Sequence, residues 1–595
     1  MHTIKMLAKS VREYKKESIL TPIFIMIEVI MECCIPLVVS EFINILQEYS
    51  DLADLGESID ADKLFITIAI YGGLLICMAF ISLFGGAMAA KFGAKASAGF
   101  AKNLRKDVFY KIQEFSFANI DRFSTPSLVT RLTTDITNVQ MAFSMIIRLA
   151  IRSPFMLVFS VIFAFSYHPT LPLLFVAIIP ALGLGLFLIF RFAHPIFKSV
   201  FHKYDSLNNT IQENIRGMRV VKAYVREDYE KKKFEKASNE VAIDFTKAER
   251  LIALNSPLMF LSMYTCFTVL MYVGAKIIIS TNGADFQIGD LTSLSTYSMQ
   301  ILTSLMMFSF VFLTVVISSE SANRIVEVLD EQPSMKNPEN PLLIVENGEI
   351  EFKNVSFKYS EKAENNALNN INLHINSGET IGIIGGTGSS KSSLIQLISR
   401  LYDATEGEVL VSGHNVKEYD MNVLRNQVAV VLQKNVLFSG TIKDNLRWGK
   451  LDATDEEIIS ACKLAQAEEF IESFPDKYDT YIEQGGTNVS GGQKQRLCIA
   501  RALIAKPKIL ILDDSTSAVD TKTDALIRKG FKEYIPETTK IIIAQRISSV
   551  QDADKIVVME NGFIDAVGKH EDLLASNAIY QEVYYSQNKC EKEGE

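Results

Sequence analysis

The stretch Ile381-Gly-Ile-Ile-Gly385-Gly-Thr-Gly388-Ser-Ser390-Lys391-Ser392 decides the fold of the second half of the chain. A short β-rich run comes before it and a helical run follows it. A glycine-rich loop in that position presents backbone N–H groups at a helix N-terminus, where they cradle phosphate groups. Lys391 would then reach the β- and γ-phosphates of a nucleotide, and the Ser392 hydroxyl would hold Mg²⁺. The predicted nucleotide-binding residues of the loop are Gly385, Gly386, Thr387, Gly388, Ser389, Ser390, Lys391, Ser392 and Ser393.

One residue of this loop departs from the phosphate-binding pattern G-x-x-x-x-G-K-[ST]. Ser390 stands where the second glycine is expected. Serine adopts many loop conformations, so we expect the substitution to be tolerated. Its effect on nucleotide affinity stays open.

The residues around the loop predict a soluble α/β domain from about position 346 onwards. Short β-rich runs alternate there with helical stretches, an order typical of a sheet with helices on its faces. The predicted strands are 349–357, 380–384, 428–432, 509–512 and 540–544. The apolar strand 509–512 ends in Asp513, the carboxylate expected to hold Mg²⁺ beside the phosphates.

Between these two motifs lies the segment Val489-Ser490-Gly491-Gly492-Gln493-Lys494-Gln495-Arg496. It resembles the signature motif of the ABC ATPases, with Val489 in place of the usual leucine. In that family the signature of one chain closes over the ATP held by the other chain's P-loop, so the resemblance implies a dimer. The signature residues that would face the partner's ATP are Ser490, Gly491, Gly492 and Gln493.

Other residues fall at the spacing of the same family. The resemblance implies that Tyr359 stacks on adenine. It also implies that Gln433 touches Mg²⁺, together with Ser392 and Asp513, and faces the membrane domain. The segment Ser517-Ala518-Val519-Asp520 matches the loop at the dimer seam, with Asp520 as its acidic residue.

Two residues that serve hydrolysis in active members of this family are replaced. Those members carry Glu after the metal-holding aspartate, to orient the attacking water, whereas this chain has Asp514. The Asp side chain is shorter by about 1.5 Å, and a misplacement of about 1 Å can cost on the order of 10²-fold in rate. Gln545 occupies the place of the switch histidine, where it can donate a hydrogen bond but carries no positive charge. The pattern predicts ATP binding with weak hydrolysis.

The first half of the chain is predicted to lie in a membrane. The 595 residues are 48% hydrophobic and 22% charged, which excludes a disordered chain, and the net charge of -9 gives no basic field for nucleic acid. Long runs without Asp, Glu, Lys or Arg occur in this half. A helix of about 25 residues reaches about 38 Å, enough to cross about 30 Å of hydrocarbon. The six predicted spans are about 19–45, 64–90, 141–166, 169–191, 251–276 and 291–319.

The charges between the spans predict the topology. Segments 91–152 and 191–250 hold ten and thirteen Lys or Arg residues, while the loop 48–62 is acidic. By the positive-inside rule, the N-terminus and both long segments face the cytoplasm, as does the ATP-binding domain. We expect the membrane helices to continue into these segments and to turn at cytoplasmic tips near 119–126 and 221–228. The predicted division is a transmembrane domain over 1–325, a linker over 326–345, an ATP-binding domain over 346–587 and a charged tail over 588–595.

Two acidic residues within the first span, Glu28 and Glu32, are four apart and share a helix face. Because acids inside a membrane are costly, these two mark a candidate substrate cavity for cationic compounds. The alternatives are hydrogen bonds to neighbouring helices or a position near the interface. Arg148 and Arg152 have the same spacing, and we expect them to snorkel to the cytoplasmic surface.

A multi-pass α-helical membrane domain with six spans, followed by an α/β P-loop NTPase domain of ABC type, resembles a half-transporter of the ABC exporter class. The replacement of Glu and His beside an intact signature resembles the degenerate-site subunit of heterodimeric bacterial multidrug exporters. The implied cofactors are ATP and Mg²⁺, and the implied place is the cell membrane. The implied partners are a second half-transporter subunit that carries the Glu and the His, membrane lipids and amphipathic small molecules. Lipid, peptide or siderophore transport stays open, as do a homodimer and a regulatory ATP sensor or channel without active transport.

Overall fold

The structure is a computed structural model that describes residues 2–56, 60–281, 283–360, 363–515 and 518–592. The chain divides into two compact units. The first comprises the chain up to Gln113 and then Thr125–Glu331, and the second comprises Glu114–Ser124 and the chain from Gln332 onwards. A short segment of the N-terminal half, Glu114–Ser124, therefore packs with the second unit.

Long and short helices make up the first unit, and one further short helix, α4, belongs to the segment that packs with the second unit. A 3-10 turn, Lys9–Tyr14, precedes α2, and a π-helical turn, Arg131–Asp135, precedes α6. In chain order the helices are α1 (His2–Ala8), α2 (Lys15–Asp54), α3 (Ala61–Gln113), α4 (Phe117–Phe123), α5 (Thr125–Thr130), α6 (Ile136–Phe165), α7 (Leu173–Arg216), α8 (Met218–Ala223), α9 (Glu227–Ala253), α10 (Asn255–Thr281) and α11 (Ile288–Asp330).

Six helical stretches among the described residues are long and apolar enough to cross a membrane. Each overlaps one of the spans predicted from the sequence, so the prediction of six spans is confirmed. The stretches are His2–Asp54, Ala61–Gln113, Thr125–Phe165, Leu173–Ala193, Glu227–Thr281 and Ile288–Asp330.

Small residues and polar bonds hold these helices against one another. A side chain in place of Gly85 would meet the Phe24 carbonyl oxygen at 3.1 Å, so α3 approaches the backbone of α2 closely. Tyr297, buried on α11, donates to the Cys33 carbonyl oxygen on α2 at 2.7 Å. Lipid tails are as apolar as the helices, so close packing and such hydrogen bonds stabilise helix pairs in a membrane.

Two helical hairpins extend beyond the spans. α3 continues to Gln113 before the chain enters α4, and α7 continues to Arg216 before α8. The predicted first tip, 119–126, covers the end of α4 and the start of α5. The chain turns again between α8 and α9, at residues 224–226, inside the range of the predicted second tip.

The second unit contains two main sheets and the remaining helices. The smaller sheet is antiparallel, with the strand order β2-β1-β4-β5 among the described residues. The elements in chain order are β1 (Ile350–Phe357), β2 (Leu368–Ile375), β3 (Thr380–Gly385), α12 (Lys391–Ile398), β4 (Glu406–Val411), β5 (His414–Asn415), α13 (Met421–Gln427), β6 (Val428–Val431), β7 (Gly440–Thr441), α14 (Ile442–Arg447), α15 (Asp455–Leu464), α16 (Glu468–Glu472), β8 (Tyr481–Ile482), α17 (Gly491–Ile504), β9 (Ile509–Asp513), α18 (Thr521–Tyr534), β10 (Thr539–Ile543), β11 (Lys555–Glu560), β12 (Phe563–Gly568), α19 (His570–Ser576) and α20 (Ala578–Lys592).

The larger sheet positions the nucleotide motifs. Among the described residues its strand order is β12-β11-β3-β10-β9-β6, and all neighbours from β11 to β6 pair in parallel. The carboxyl ends of parallel strands meet at one edge, so the residues that follow β3, β9 and β10 lie side by side. Each of the five strands predicted from the sequence is present, with ends that agree within one residue. Most Val and Ile side chains of the larger sheet are buried in two apolar clusters, one formed mainly with helices and the other with α12 and the smaller sheet.

Candidate nucleotide-binding site

The glycine-rich loop follows β3 and leads into α12, as the sequence predicts. A side chain at Gly385 would collide with the Met559 carbonyl oxygen, so only glycine fits there. The Lys391 ammonium donates to the carbonyl oxygens of Gly385 and Gly386, each at 2.9 Å. Burial lowers the pKa of Lys391, while Asp513 and Asp514 oppose that shift. The cation is thus held over the loop, where a phosphate group would replace the carbonyl oxygens as its partner.

Ser390, the residue that departs from the phosphate-binding pattern, has a left-handed backbone with φ of 69°. It is the N-cap of α12, and its side chain caps no backbone N–H. A left-handed conformation costs a residue with a Cβ about 1–2 kcal/mol, a cost that glycine does not bear. The loop therefore keeps the backbone shape of the pattern and stores strain at Ser390.

Asp513 ends β9 and is buried. Burial raises the pKa of Asp513, against the effect of a hydrogen bond from the Ser392 side chain. A buried carboxylate beside a hydroxyl is an all-oxygen donor set, which suits Mg²⁺. Among the described residues, no three or more His, Cys, Asp or Glu side chains form a metal cluster. The two oxygen donors fit Mg²⁺ together with a nucleotide, because phosphate and water would supply the other ligands.

Asp514 and Gln545, the two residues that differ from the pattern of active family members, contact each other. The Gln545 side-chain amide donates to Asp514 Oδ2 at 2.9 Å. Burial raises the pKa of Asp514, while hydrogen bonds from Gln433 and Gln545 oppose the shift. The backbone of Asp514 is left-handed, with φ of 47°, and its N–H donates to the Ile543 carbonyl oxygen at 3.0 Å. A short side chain in a left-handed turn is therefore hydrogen-bonded to a neutral amide.

Tyr359 and Gln433 lie near the loop. The Tyr359 hydroxyl is 2.8 Å from Ser393 Oγ, in the first turn of α12, and donates to Gln396 Oε1 at 3.1 Å. The Tyr359 ring is about half exposed, so one face is open to a flat partner. Gln433 is exposed after β6, and its side chain reaches Asp514.

The signature segment begins a helix. Ser490 is the N-cap of α17 and forms a capping box with Gln493, whose Oε1 accepts from the Ser490 N–H at 2.9 Å. A side chain at Gly492 would meet the Ala518 carbonyl oxygen at 2.9 Å, so the predicted dimer-seam loop packs on the signature. Asp520 caps α18 by accepting from the Thr523 N–H at 2.9 Å. Ser517, the first residue of that predicted loop, lies outside the described residues, as do residues 593–595 of the predicted tail.

In the first unit, Glu28 and Glu32 line a cavity of about 500 Å³ between α2 and α3. Arg152 of α6 donates to Glu28 Oε1 at 2.6 Å and to both carboxylate oxygens of Glu32 at 2.7 and 2.8 Å. The expectation that Arg152 snorkels to the surface is therefore wrong, because two carboxylates hold its guanidinium group. Hydrogen bonds to a neighbouring helix were one stated alternative for the two acids, but sequence reasoning did not identify Arg152 as the partner. A signal was present, since an arginine and two acids all fall within predicted spans.

A P-loop, a signature helix and an aspartate at a strand end, in this order behind six helices long and apolar enough to cross a membrane, define an ATP-binding transporter subunit. Profiles of two families match the chain: the ABC transporter transmembrane region over residues 18–305 and the ABC transporter domain over residues 368–517. The chain belongs to the ABC transporter family, and its ABC domain implies an ATP-hydrolysing transporter in general.

Curated relatives agree with this assignment over most of the chain. An uncharacterised ABC transporter ATP-binding protein of Bacillus subtilis, YfiB, is 37% identical over 87% of this chain and 89% of its own length. A putative ABC transporter ATP-binding protein of Mycoplasma genitalium, MG014, is 30% identical over 96% of both. Among solved structures, an ATP-bound bacterial Atm1-family ABC exporter aligns with a TM-score of 0.80, at 22% identity, over 95% of this chain and 98% of that one. The chain is a multi-pass membrane protein with the exporter-type fold.

Proposed function

We propose that this chain is the degenerate-site subunit of a heterodimeric ATP-driven exporter. One observation carries the proposal: a hydrogen bond of 2.9 Å joins Gln545 to Asp514. These two residues take the places of the switch histidine and the catalytic glutamate. The residues expected to bind ATP keep their family identity beside them, apart from Ser390. Binding and hydrolysis would thus be separated within one site.

The geometry of Asp514 and Gln545 supports weak turnover. Asp514 is too short to place its carboxylate where a glutamate would, and an error of about 1 Å can cost on the order of 10²-fold in rate. Gln545 is neutral, so it offers no positive charge to the oxygens that become more negative in the transition state. Both deficits act on the same step, the attack of water.

The binding half of the site has what ATP requires. Lys391 would hold the β- and γ-phosphates, and Tyr359 would stack on adenine. Ser392, Asp513 and Gln433 would hold Mg²⁺, which neutralises phosphate charge when it is bound. Asp513 ends β9 and Ser392 lies in the first turn of α12, so both residues belong to ordered elements.

The signature supports the second half of the proposal, a heterodimer. Ser490 to Gln493 form an ordered helix start that serves only ATP on another chain's P-loop. A partner with Glu and His would therefore hydrolyse its ATP against this signature. ATP retained at the degenerate site would keep the ATP-binding domains partly closed, and hydrolysis at the other site would reset them. The N-terminus and the ATP-binding domain would lie in the cytoplasm, and Asp520 at the dimer seam.

Amphipathic compounds of the multidrug type are the proposed substrates. The cavity beside Glu28 and Glu32 is bordered by apolar residues such as Ile35 and Leu83, and Arg152 neutralises one of its two acids. The remaining negative charge favours a cation with an apolar body. Uptake of such a dye against its gradient, into inside-out vesicles that contain both subunits, would distinguish an exporter from a sensor or channel. Lipids, peptides and siderophores would be tested as competitors.

The experiment that tests the proposal is the steady-state ATPase rate of the full chain alone in lipid. The comparison is the same chain with Asp514→Glu and Gln545→His. We expect the unmodified chain to be almost inactive and the double variant to gain on the order of 10²-fold, because both missing groups are restored. Brisk turnover by the unmodified chain would contradict a degenerate site and favour a homodimeric exporter.

A further inference from the structure

A buried tyrosine of the second unit, Tyr402, lies between the residue expected to stack on adenine and helix α4. Tyr402 follows α12 in the loop after Ser399, and its exposed fraction is 9%. Its ring packs edge to face against Tyr359, with the ring centres 5.2 Å apart and the planes at 86°. The nucleotide-facing aromatic and Tyr402 are therefore in direct contact.

The other end of Tyr402 reaches α4. Its hydroxyl donates to Asp121 Oδ2 at 2.7 Å, and its ring centre lies 6.0 Å from that of Phe117. Burial raises the pKa of Tyr402, and the Asp121 carboxylate adds to the shift, so the phenol stays protonated and donates. Asp121 itself is exposed, and this bond is a polar anchor between the loop after α12 and α4.

A second set of bonds holds the start of α4 without any contact to the nucleotide motifs. Ser116 Oγ lies 2.6 Å from Ser334 Oγ, and the Asn119 side-chain amide donates to the Gln332 carbonyl oxygen at 3.1 Å. These bonds fix α4 to the chain that follows α11. They would hold the helix in place if the bond from Tyr402 were lost.

We propose that Tyr402 is a positioning residue that transmits the presence of the adenine base from Tyr359 to α4 through its hydrogen bond to Asp121. A base stacked on Tyr359 restricts that ring. Tyr402 is buried and packed on its other sides, so restricting the ring that it touches edge to face also restricts Tyr402. The Tyr402 hydroxyl then passes the restriction to Asp121, which lies in the last turn of α4. The inference rests on the proposed role of Tyr359 in ATP binding.

The contact has a matched control in the same unit. Tyr419 is also buried, with an exposed fraction of 1%, and its hydroxyl donates to the Val411 carbonyl oxygen at 2.9 Å. Tyr419→Phe removes a buried hydrogen bond of the same kind without touching Tyr359 or α4. Tyr402→Phe keeps the ring against Tyr359 and Phe117 and removes only the bond to Asp121.

The test is amide hydrogen exchange of the full chain in lipid, with and without ATP. In the unmodified chain we expect ATP to slow exchange both in the glycine-rich loop and in residues 117–123. In Tyr402→Phe the loop should respond as before, and the response of α4 should shrink at least about threefold, because exchange reports local opening. Tyr419→Phe should behave like the unmodified chain. Asp121→Ala should reproduce Tyr402→Phe, and the two changes together should add little, as expected for partners in one bond.

The outcomes separate this inference from the proposed function. An α4 response that survives Tyr402→Phe, or that is absent although the loop responds, would overturn the role of Tyr402 and leave ATP binding intact. If neither segment of the unmodified chain responds to ATP, the proposed function fails and the role of Tyr402 fails with it. Equal losses in Tyr402→Phe and Tyr419→Phe would show a general loss of stability and would likewise overturn the inference.

Discussion

The two sides of the nucleotide site lie at one sheet edge and differ in the partners of their charged groups. On the phosphate side, Lys391 is held by loop carbonyl oxygens that a phosphate can replace. On the water side, Asp514 accepts a hydrogen bond from the neutral Gln545 amide. Under the proposed function different side chains would perform binding and turnover, so one site could keep the first task and lose the second. The double substitution of Asp514 and Gln545 is the largest test of that division, since it should restore turnover without altering the phosphate side.

Removing the cation of the phosphate side should have the next largest effect. Lys391→Ala deletes charge-assisted hydrogen bonds to phosphate, each worth about 1.5–3 kcal/mol, so ATP should bind roughly 30-fold more weakly. Lys417→Ala, a change at an exposed lysine of the same unit, is the control and should leave affinity unchanged. Equilibrium binding of a fluorescent ATP analogue measures both. Unchanged affinity in Lys391→Ala would mean that the loop does not grip the phosphates.

Removing the charge of the water side should act in the opposite direction and more weakly. Asp514→Asn keeps a side chain that tolerates the left-handed backbone at φ of 47° and removes a negative charge near the phosphates. We expect ATP affinity to rise about fivefold, or about 1 kcal/mol, and any residual turnover to disappear. Asp476→Asn, at an exposed aspartate of the same unit, is the control. Weaker binding in Asp514→Asn would show that Asp514 helps to hold ATP, and the division between the two sides would not hold.

The two sides also differ in how far sequence alone could describe them. The identity of Lys391, Ser392 and Asp513 followed from local patterns, because β3 and β9 are apolar runs that end where the motifs begin. The bond between Gln545 and Asp514 joins residues 31 positions apart, at the ends of β10 and β9, and depends on strand order. The hydrogen bonds from Arg152 to Glu28 and Glu32 join residues more than 100 positions apart and depend on how α2 and α6 pack. Local pattern cannot fix such pairings, since many topologies satisfy the same hydropathy.

Substitution of Ser390 should have the smallest effect of these variants. It tests whether the phosphate side is itself impaired. The left-handed backbone of Ser390 costs the folded state about 1–2 kcal/mol. Glycine removes that cost but makes the unfolded chain more flexible, which favours unfolding by about 0.5–1 kcal/mol. Ser390→Gly should therefore stabilise the second unit by only about 0.5 kcal/mol. For a domain of this size that corresponds to a rise in melting temperature of about 1–2 °C. The chain has one tryptophan, Trp448, in the second unit, stacked on Phe438 with ring centres 4.2 Å apart, so its fluorescence reports the unfolding of that unit.

Ser390→Ala separates strain from the hydroxyl. Alanine keeps the Cβ and therefore the left-handed strain, while it removes the hydroxyl that caps no backbone N–H. We expect no rise in melting temperature for alanine and a rise for glycine. A rise of equal size in both variants would assign the effect to the hydroxyl, and a fall in Ser390→Gly would mean that serine fits the turn without strain. ATP affinity measured on the same variants then decides the question that the sequence left open. If relief of strain also tightens ATP binding, the phosphate side has been weakened along with the water side. The motif residues other than Ser390 would then be present, but the strained backbone would hold them in a less favourable geometry.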